Sequence, residues 1–133
     1  MNIINRKAKF NFELLEKFEA GMELTGVDVK AIRRGAVNLT NSFAKIIGTQ
    51  VYLVNAIIGE DSRSRRLLLH RREIGQIEAK IKQKKLTLVP VRLYNMGSLI
   101  KAEIALAKSK RTFEKKDVRK ARDIKRDIAR ELK

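Results

Sequence analysis

Residues 87–107 read TLVPVRLYNMGSLIKAEIALA, two apolar runs separated by a short segment that contains Gly97. The runs Thr87–Tyr94 and Leu99–Ala107 are rich in Val, Ile and Leu, and Gly is typical of a turn. We therefore predict two strands of an antiparallel sheet. Because Pro90 cannot donate a ladder hydrogen bond, it predicts that the first strand lies at an edge or carries a bulge.

The preceding residues alternate between further strand-like and helix-like segments. Short apolar runs indicate strands, apolar residues spaced three or four apart indicate helices, and Gly35 and Gly48 mark a helix end and a hairpin turn. Together they predict a mainly β fold with helices, a small antiparallel barrel. The predicted strands include Phe10–Phe18 (ending at Ala20–Gly21), Phe43–Ile47 and Val51–Ala56; the loop is Gly59–Ser64; the helices are Val27–Arg34 and Arg71–Lys85.

Residues 108–133 differ from this body, so we divide the chain into a domain of residues 1–107 and a basic C-terminal tail. The tail has twelve Lys and Arg against five Asp and Glu. Its few apolar residues recur every three or four positions, which predicts a helix too thinly apolar to be stable without a partner. They are Phe113, Val118, Ala121, Ile124, Ile128 and Leu132.

The net charge points to a polyanionic partner. The chain has 31 Lys and Arg against 15 Asp and Glu, a formal charge of +16 at pH 7. Such a surplus favours nucleic acid, because binding releases the counterions condensed on phosphates. No apolar stretch approaches the roughly 20 residues that span a bilayer, and the N-terminus lacks the apolar core of a secretion signal. Without Cys there is no disulfide, and we expect an intracellular protein with no membrane partner.

Catalytic chemistry has little support in the sequence. The single histidine, His70, follows three leucines and is expected to be a packed or surface imidazole. Asp28, Asp61 and Asp117 could serve a magnesium-dependent nuclease only if they converged, but Arg and Lys neighbours favour ion pairs. No Gly-rich phosphate loop occurs. We therefore expect no enzymatic activity, no metal site and no cofactor. Aromatic residues are few, which favours shape and backbone contacts to a folded RNA over base stacking.

Several blocks of sequence, in order, resemble the SmpB family, the tmRNA-binding proteins of bacterial trans-translation. The resemblance covers nearly the whole chain, and the order of the blocks makes it specific. The blocks are Asn5–Ala8, Phe18–Gly21 with Gly26–Gly35 and Asn38–Leu39, Arg63–Ile74, Leu86–Tyr94, and in the tail Leu106–Lys110, Glu114–Lys116 and Arg126–Lys133.

The resemblance implies a barrel of the oligonucleotide-binding type that holds the transfer-RNA-like domain of tmRNA and delivers it to the A site of a stalled ribosome. The tail, disordered alone, is expected to become helical in the small-subunit decoding centre and messenger channel. Elongation factor Tu would take part indirectly, through alanyl-tmRNA. The implied location is the bacterial cytoplasm, or an organelle if the chain comes from one.

The resemblance also implies site residues. Three positions match RNA contacts of the family, four basic neighbours extend them, and further positions belong to the tail. The matched contacts are Asn5, Glu19 and Leu68; the basic neighbours are Arg6, Lys7, Lys30 and Arg66; the tail residues are Glu114, Lys115, Lys116, Arg122, Arg126, Ile128, Arg130 and Leu132.

The residues alone leave alternatives open for the matched contacts. Asn5 is equally well explained as a turn or cap residue, and Glu19 as an ordinary exposed strand residue. If Leu67 and Leu69 face inward, the alternation of a strand makes Leu68 face outward.

The chain also departs from the family pattern. The loop Ile58–Ser62 is shorter than in most members, which makes this a divergent member with fewer expected RNA contacts. Glu114–Lys116 replaces an Asp-Lys-Arg motif, Asp28 replaces a Glu, and Ser109 replaces a Gly. A permanent ribosomal structural protein or a general RNA-binding protein remains the alternative function, since both would share a basic barrel and a basic tail.

Overall fold

A computed structural model of the chain describes residues 1–110. The predicted tail helix and all tail site residues lie outside the described residues. The last strand continues to Ser109, two residues beyond the predicted end of the body.

Residues 1–110 form nine strands and three helices. The predicted fold class, a small antiparallel barrel with flanking helices, is confirmed. In chain order the elements are β1 (Asn2–Ile4), α1 (Arg6–Asn11), β2 (Phe12–Met22), α2 (Gly26–Arg33), β3 (Val37–Asn38), β4 (Phe43–Ile47), β5 (Gln50–Val54), β6 (Ile57–Ile58), β7 (Arg65–Leu68), α3 (Arg71–Lys84), β8 (Thr87–Met96) and β9 (Leu99–Ser109).

The strands close into a barrel because β8 pairs with strands on both sides. The ring runs β8–β4–β5–β7–β2–β9 and returns to β8, with antiparallel pairing throughout. Strand β1 adds to β8 outside the ring, and β3 and β6 form a separate two-stranded sheet. None of the helices in residues 1–110 has the length and apolarity required to cross a bilayer.

Local sequence signals explain most of these boundaries. Helix α2 begins at a capping box, in which the Thr25 side chain accepts from Asp28 N and the Asp28 carboxylate accepts from Thr25 N. Just beyond its end, Gly35 has a φ of +76°, in the left-handed region that favours glycine. The hairpin of β4 and β5 turns at Gly48, with a φ of +63°.

The N-terminal segment differs from the prediction. Phe10 was expected to begin a strand, but it lies in helix α1, and β2 begins at Phe12. The helix forms because the buried Asn5 side chain caps it, accepting a hydrogen bond from Ala8 N at 3.2 Å. Ala8 then packs on the outside of the barrel against Val89 and Ala107. These contacts, which depend on tertiary structure, override the strand-like pattern of the sequence.

Pro90 lies at a bulge, one of the two predicted alternatives. Strand β8 pairs Pro90 with Ile104 and Arg92 with Glu103 of β9, so Val91 is an extra residue. The other alternative, an edge strand, is wrong, because β8 also pairs with β1 and β4. The ring nitrogen of proline needs no ladder partner at a bulge, which is why the residue fits inside a strand that has neighbours on both sides.

The barrel interior holds the main apolar core. Helix α3 contributes Ile77, and helix α2 contributes Ile32, each fully buried. Burial of such side chains is the main favourable term in folding, at about 1.5–3 kcal/mol for each large one. The buried strand residues of this core include Ala20, Val51, Leu53, Leu67, Leu88, Leu93, Ala102, Ile104 and Leu106.

A buried ion pair attaches the short loop before β7 to helix α2. Arg65, 2% exposed, donates from Nη2 to Asp28 Oδ1 at 3.2 Å and to the Asp61 carbonyl at 3.0 Å. Arg63 also binds both Asp28 and Asp61. Burial raises the pKa of Asp28, but hydrogen bonds from Thr25 N, Arg65 and Arg63 outweigh it, so this pKa lies below its usual value.

We predict that Asp28→Asn lowers the free energy of unfolding by about 3 kcal/mol at neutral pH, because it leaves Arg65 buried without a counter-charge. The lowered pKa means that the contribution of Asp28 is complete above the unfolded-state value near 4 and is lost as pH falls through the folded-state value. The difference between wild type and variant should therefore narrow below about pH 4, as urea unfolding at several pH values would measure.

The matched control is Asp61→Asn, which removes an exposed carboxylate from the same cluster. It should cost less stability than Asp28→Asn, because water can replace its ion pair with Arg63. Equal losses, or a difference from wild type that does not change with pH, would contradict this account of the buried pair.

Candidate RNA-binding surface

An open pocket of about 370 Å³ lies on the outside of the barrel, where β2 runs between β7 and β9. Its lining brings together three of the predicted RNA-binding residues, Glu19, Arg66 and Leu68. His70 and Lys101 also line it. We call this site the Glu19 pocket. The carboxylates of Glu19 and Glu73 thus share one concave surface with basic side chains and an exposed leucine.

The position of Leu68 depends on a glycine in the neighbouring strand. Gly21 of β2 pairs with Leu68 of β7, and a Cβ at Gly21 would lie 3.3 Å from the Leu68 Cβ. Without that Cβ, the leucine side chain can lie close over β2. Leu68 is 44% exposed whereas Leu67 is 1% exposed, so the predicted outward direction of Leu68 is confirmed.

The basic residues of the pocket retain capacity for a ligand. Arg66 contacts Glu23 Oε2 through Nη1 at 3.6 Å, an exposed ion pair that leaves its other donors available. His70 is exposed at the start of α3, where its backbone N–H donates to Glu73 Oε1 at 3.2 Å. The prediction that His70 is a packed or surface imidazole is therefore confirmed as a surface position. Lys101 is half-buried in β9.

A polar network continues from Glu19 across the outer face of β2, β9 and β8. The Tyr94 hydroxyl donates to Glu19 Oε2. Arg92 donates from Nε to Glu103 Oε2 at 3.2 Å, and Lys17 Nζ lies 3.6 Å from Glu103 Oε1. We call these five residues the Tyr94 network. Because the Tyr94 hydroxyl binds it, the Glu19 carboxylate has a defined orientation before any ligand binds.

The remaining predicted residues lie elsewhere. Asn5 is 4% exposed, and its amide donates to Leu39 O at 3.3 Å and Pro90 O at 2.9 Å. It is therefore a cap residue, and a direct contact between Asn5 and RNA stays a prediction that its burial disfavours. Arg6 and Lys7 are exposed on α1, where Lys7 Nζ donates to Asn41 Oδ1 at 2.9 Å.

Lys30 is exposed on helix α2 and does not line the Glu19 pocket. The carboxylates considered for a nuclease do not form a free acidic cluster, since Asp28 and Asp61 are both bound by arginines. Asp117 lies outside the described residues. Within residues 1–110, no group of three or more His, Cys, Asp or Glu side chains is arranged to hold a metal ion.

Comparison with known proteins agrees with the resemblance seen in the sequence. The family model described as SmpB protein matches residues 2–133. The chain belongs to the SmpB family.

Relatives in this family align with almost the whole chain. An SsrA-binding protein of Acaryochloris marina is 43% identical over 97% of this chain and 91% of its own length. One from Trichodesmium erythraeum is 41% identical over 97% of this chain and 90% of its own length. A solved structure described as "tmRNA-SmpB: a journey to the center of the bacterial ribosome" has a TM-score of 0.69 and 37% identity, covering 84% of this chain and 85% of the other.

Sequence reasoning missed several residues of this outer surface. Lys101 and Glu103 alternate with the buried Ile100, Ala102 and Ile104, so strand periodicity alone could have placed them on the outer face. Arg92 and Tyr94 alternate with the buried Val91 and Leu93 in the same way, but the bulge at Val91 breaks this alternation from that of Leu88 and Val89.

Proposed function

We propose that this chain binds the transfer-RNA-like domain of tmRNA and delivers it to the A site of stalled ribosomes. Membership of the SmpB family supports this function, as do relatives named SsrA-binding proteins and the similarity to the tmRNA–SmpB structure. The chain then acts in the bacterial cytoplasm, and elongation factor Tu reaches it only through alanyl-tmRNA.

The observation that carries the proposal is the chemistry of the Glu19 pocket. Glu19 repels phosphates but accepts hydrogen bonds from the amino groups of bases, so it suits a base edge in a folded RNA. Arg66 and Lys101 supply positive charge for the phosphates around that base. Leu68 offers an apolar contact to a base face or ribose. This combination suits irregular RNA better than a uniform duplex, whose bases are less accessible.

The proposed role is that of a non-catalytic adaptor. In the described residues, the candidate carboxylates Asp28 and Asp61 have structural roles in the attachment of the short loop to α2. The basic residues Arg6, Lys7 and Lys30 are exposed, and we assign them to phosphate contacts that add affinity without base selectivity. Asn5 acts indirectly in this proposal, because its cap holds the helix that carries Arg6 and Lys7.

We further propose that the main role of the tail is on the ribosome, and that it adds only non-selective charge to the binding of tmRNA. Residues 111–133 contain ten Lys and Arg against five Asp and Glu, and ribosomal RNA is a polyanion that such a segment can follow. Their apolar positions recur with helical spacing, which supports folding on binding. The tail residues proposed to contact the decoding centre and channel are Glu114, Lys115, Lys116, Arg122, Arg126, Ile128, Arg130 and Leu132.

We predict that Leu68→Ala weakens binding of the transfer-RNA-like domain about tenfold, the effect of losing roughly 1.4 kcal/mol of apolar contact. Stability should change little because Leu68 is 44% exposed. Ile47→Ala is the matched control, since Ile47 is 54% exposed and lies outside the Glu19 pocket. Equal affinity in both variants, measured by fluorescence anisotropy with labelled RNA, would exclude Leu68 from the interface.

Removal of residues 111–133 should separate the two proposed activities. The truncated chain keeps the hydrogen bond from Lys110 N to Asn11 O at 3.0 Å, so the barrel should remain folded. We expect it to bind the transfer-RNA-like domain with a shallower salt dependence, since ten basic residues are gone. Tagging of nascent chains on stalled ribosomes should be abolished. Tagging at the wild-type rate in a reconstituted translation system would refute the proposed role of the tail.

A further inference from the structure

Tyr94 reaches Glu19 from a strand that is not its neighbour. Strand β9 lies between them, where Lys101 pairs with Tyr94 and Glu103 pairs with Glu19. The phenol ring therefore passes over β9 to place its hydroxyl on Glu19 Oε2. Burial and the hydrogen bond to Glu19 raise the pKa of Tyr94 to about 12, so the hydroxyl keeps its proton at any physiological pH.

The tyrosine ring is itself held in place. The guanidinium carbon of Arg92 lies 4.2 Å from the centre of the Tyr94 ring, a cation–π arrangement. Arg92 is fixed in turn by its hydrogen bond to Glu103 Oε2 and by a longer contact of 3.4 Å from Nη1 to Asn2 Oδ1. The hydroxyl that binds Glu19 is thus the end of an ordered series of contacts across β1, β8 and β9.

Glu19 and Glu103, the two carboxylates of the Tyr94 network, differ in their binding partners. Glu19 and Glu103 are opposite each other in β2 and β9, an arrangement of like charges that is unfavourable by itself. Glu103 is neutralised by Arg92 and Lys17. Within residues 1–110, Glu19 forms no ion pair, and its Oε2 accepts from the neutral hydroxyl of Tyr94. Glu19 is therefore oriented without being neutralised, and its other oxygen, Oε1, remains available as an acceptor in the Glu19 pocket.

We propose that Tyr94 is a positioning residue for RNA recognition, which holds the Glu19 carboxylate so that Oε1 accepts from the amino group of a base. This inference rests on the proposed function. A flexible glutamate loses side-chain entropy when it binds a ligand, and a glutamate already held by Tyr94 avoids most of that loss. Because the Tyr94 hydroxyl is neutral, its hydrogen bond leaves the negative charge of Glu19 uncompensated. An arginine in the same place would neutralise that charge.

The test is Tyr94→Phe in the full chain, with the dissociation constant for the transfer-RNA-like domain measured at several salt concentrations. Phe keeps the ring under Arg92 and removes only the hydroxyl, so the melting temperature should be nearly unchanged. We expect a three- to tenfold weaker affinity, because the Glu19 side chain must then lose its rotational freedom on binding. The slope of affinity against salt should stay the same, because no phosphate contact is lost.

Tyr52→Phe is the matched control, because it removes the other of the two tyrosine hydroxyls in the chain. It should bind RNA as tightly as wild type. Equal losses in the two variants, or no loss in Tyr94→Phe, would overturn the positioning role. If the wild-type chain itself does not bind the transfer-RNA-like domain, the proposed function fails and this inference fails with it.

A double-mutant cycle shows whether Tyr94 acts through Glu19. In a Glu19→Ala background, Tyr94→Phe should have no further effect on affinity, since there is no carboxylate left to position. If the two losses instead multiply, Tyr94 contacts the RNA independently of Glu19, and the proposal is wrong.

Discussion

The bulge at Val91 is the constraint on which the outer face of this barrel depends. Asn5 holds both carbonyls of the bulge, its backbone N–H donating to Val91 O at 2.8 Å and its side chain to Pro90 O at 2.9 Å. Before the bulge, Val89 faces outward and packs under α1. After it, Arg92 and Tyr94 face outward. If β8 instead alternated regularly through Val91, Arg92 and Tyr94 would face the apolar interior.

The same bulge divides the outer face into an apolar part and a polar part. On one side of it, Ala8 of α1 covers Val89 and Ala107, which anchors the N-terminal helix to the barrel. On the other side, no helix of the described residues covers the Tyr94 network, in which polar side chains of three strands meet. A single change of register within β8 thus produces both the attachment of α1 and the orientation of Glu19. It also explains why Asn5, although buried, can matter for RNA binding without a direct contact.

Much of the fold follows from local sequence patterns. The helix that ends before Gly35, the hairpin that turns at Gly48 and the final hairpin at Gly97 were predicted because each has both an apolar pattern and a turn residue. Helix α1 was not predicted. Its six residues are too few to show helical periodicity, and its cap, Asn5, needs partners distant in sequence. Pro90 indicated a bulge, but no local signal shows which residue is extra.

Some residues of the candidate site could likewise be predicted from the sequence, whereas others could not. Glu19, Arg66 and Leu68 could be named because sequence blocks around them resemble a family, and the outward direction of Leu68 follows from strand alternation. Tyr94 could not be named, because its contact with Glu19 crosses a third strand and depends on the register of two pairings. Sequence also suggested Asp28 as one carboxylate of a nuclease, whereas the fold places it in a buried ion pair with Arg65. Contacts that link distant elements are those that sequence reasoning misses.

We propose that the Glu19 pocket and the Tyr94 network together select one folded RNA rather than any polyanion. The most direct measurement is competition binding at near-physiological salt, with the labelled transfer-RNA-like domain of tmRNA bound to the full chain and unlabelled elongator tRNA added in excess. This account predicts that elongator tRNA displaces the labelled RNA only at concentrations orders of magnitude higher than the unlabelled transfer-RNA-like domain requires. Displacement by both RNAs at the same concentration would contradict it, and would show that the charge surplus binds RNA without selection.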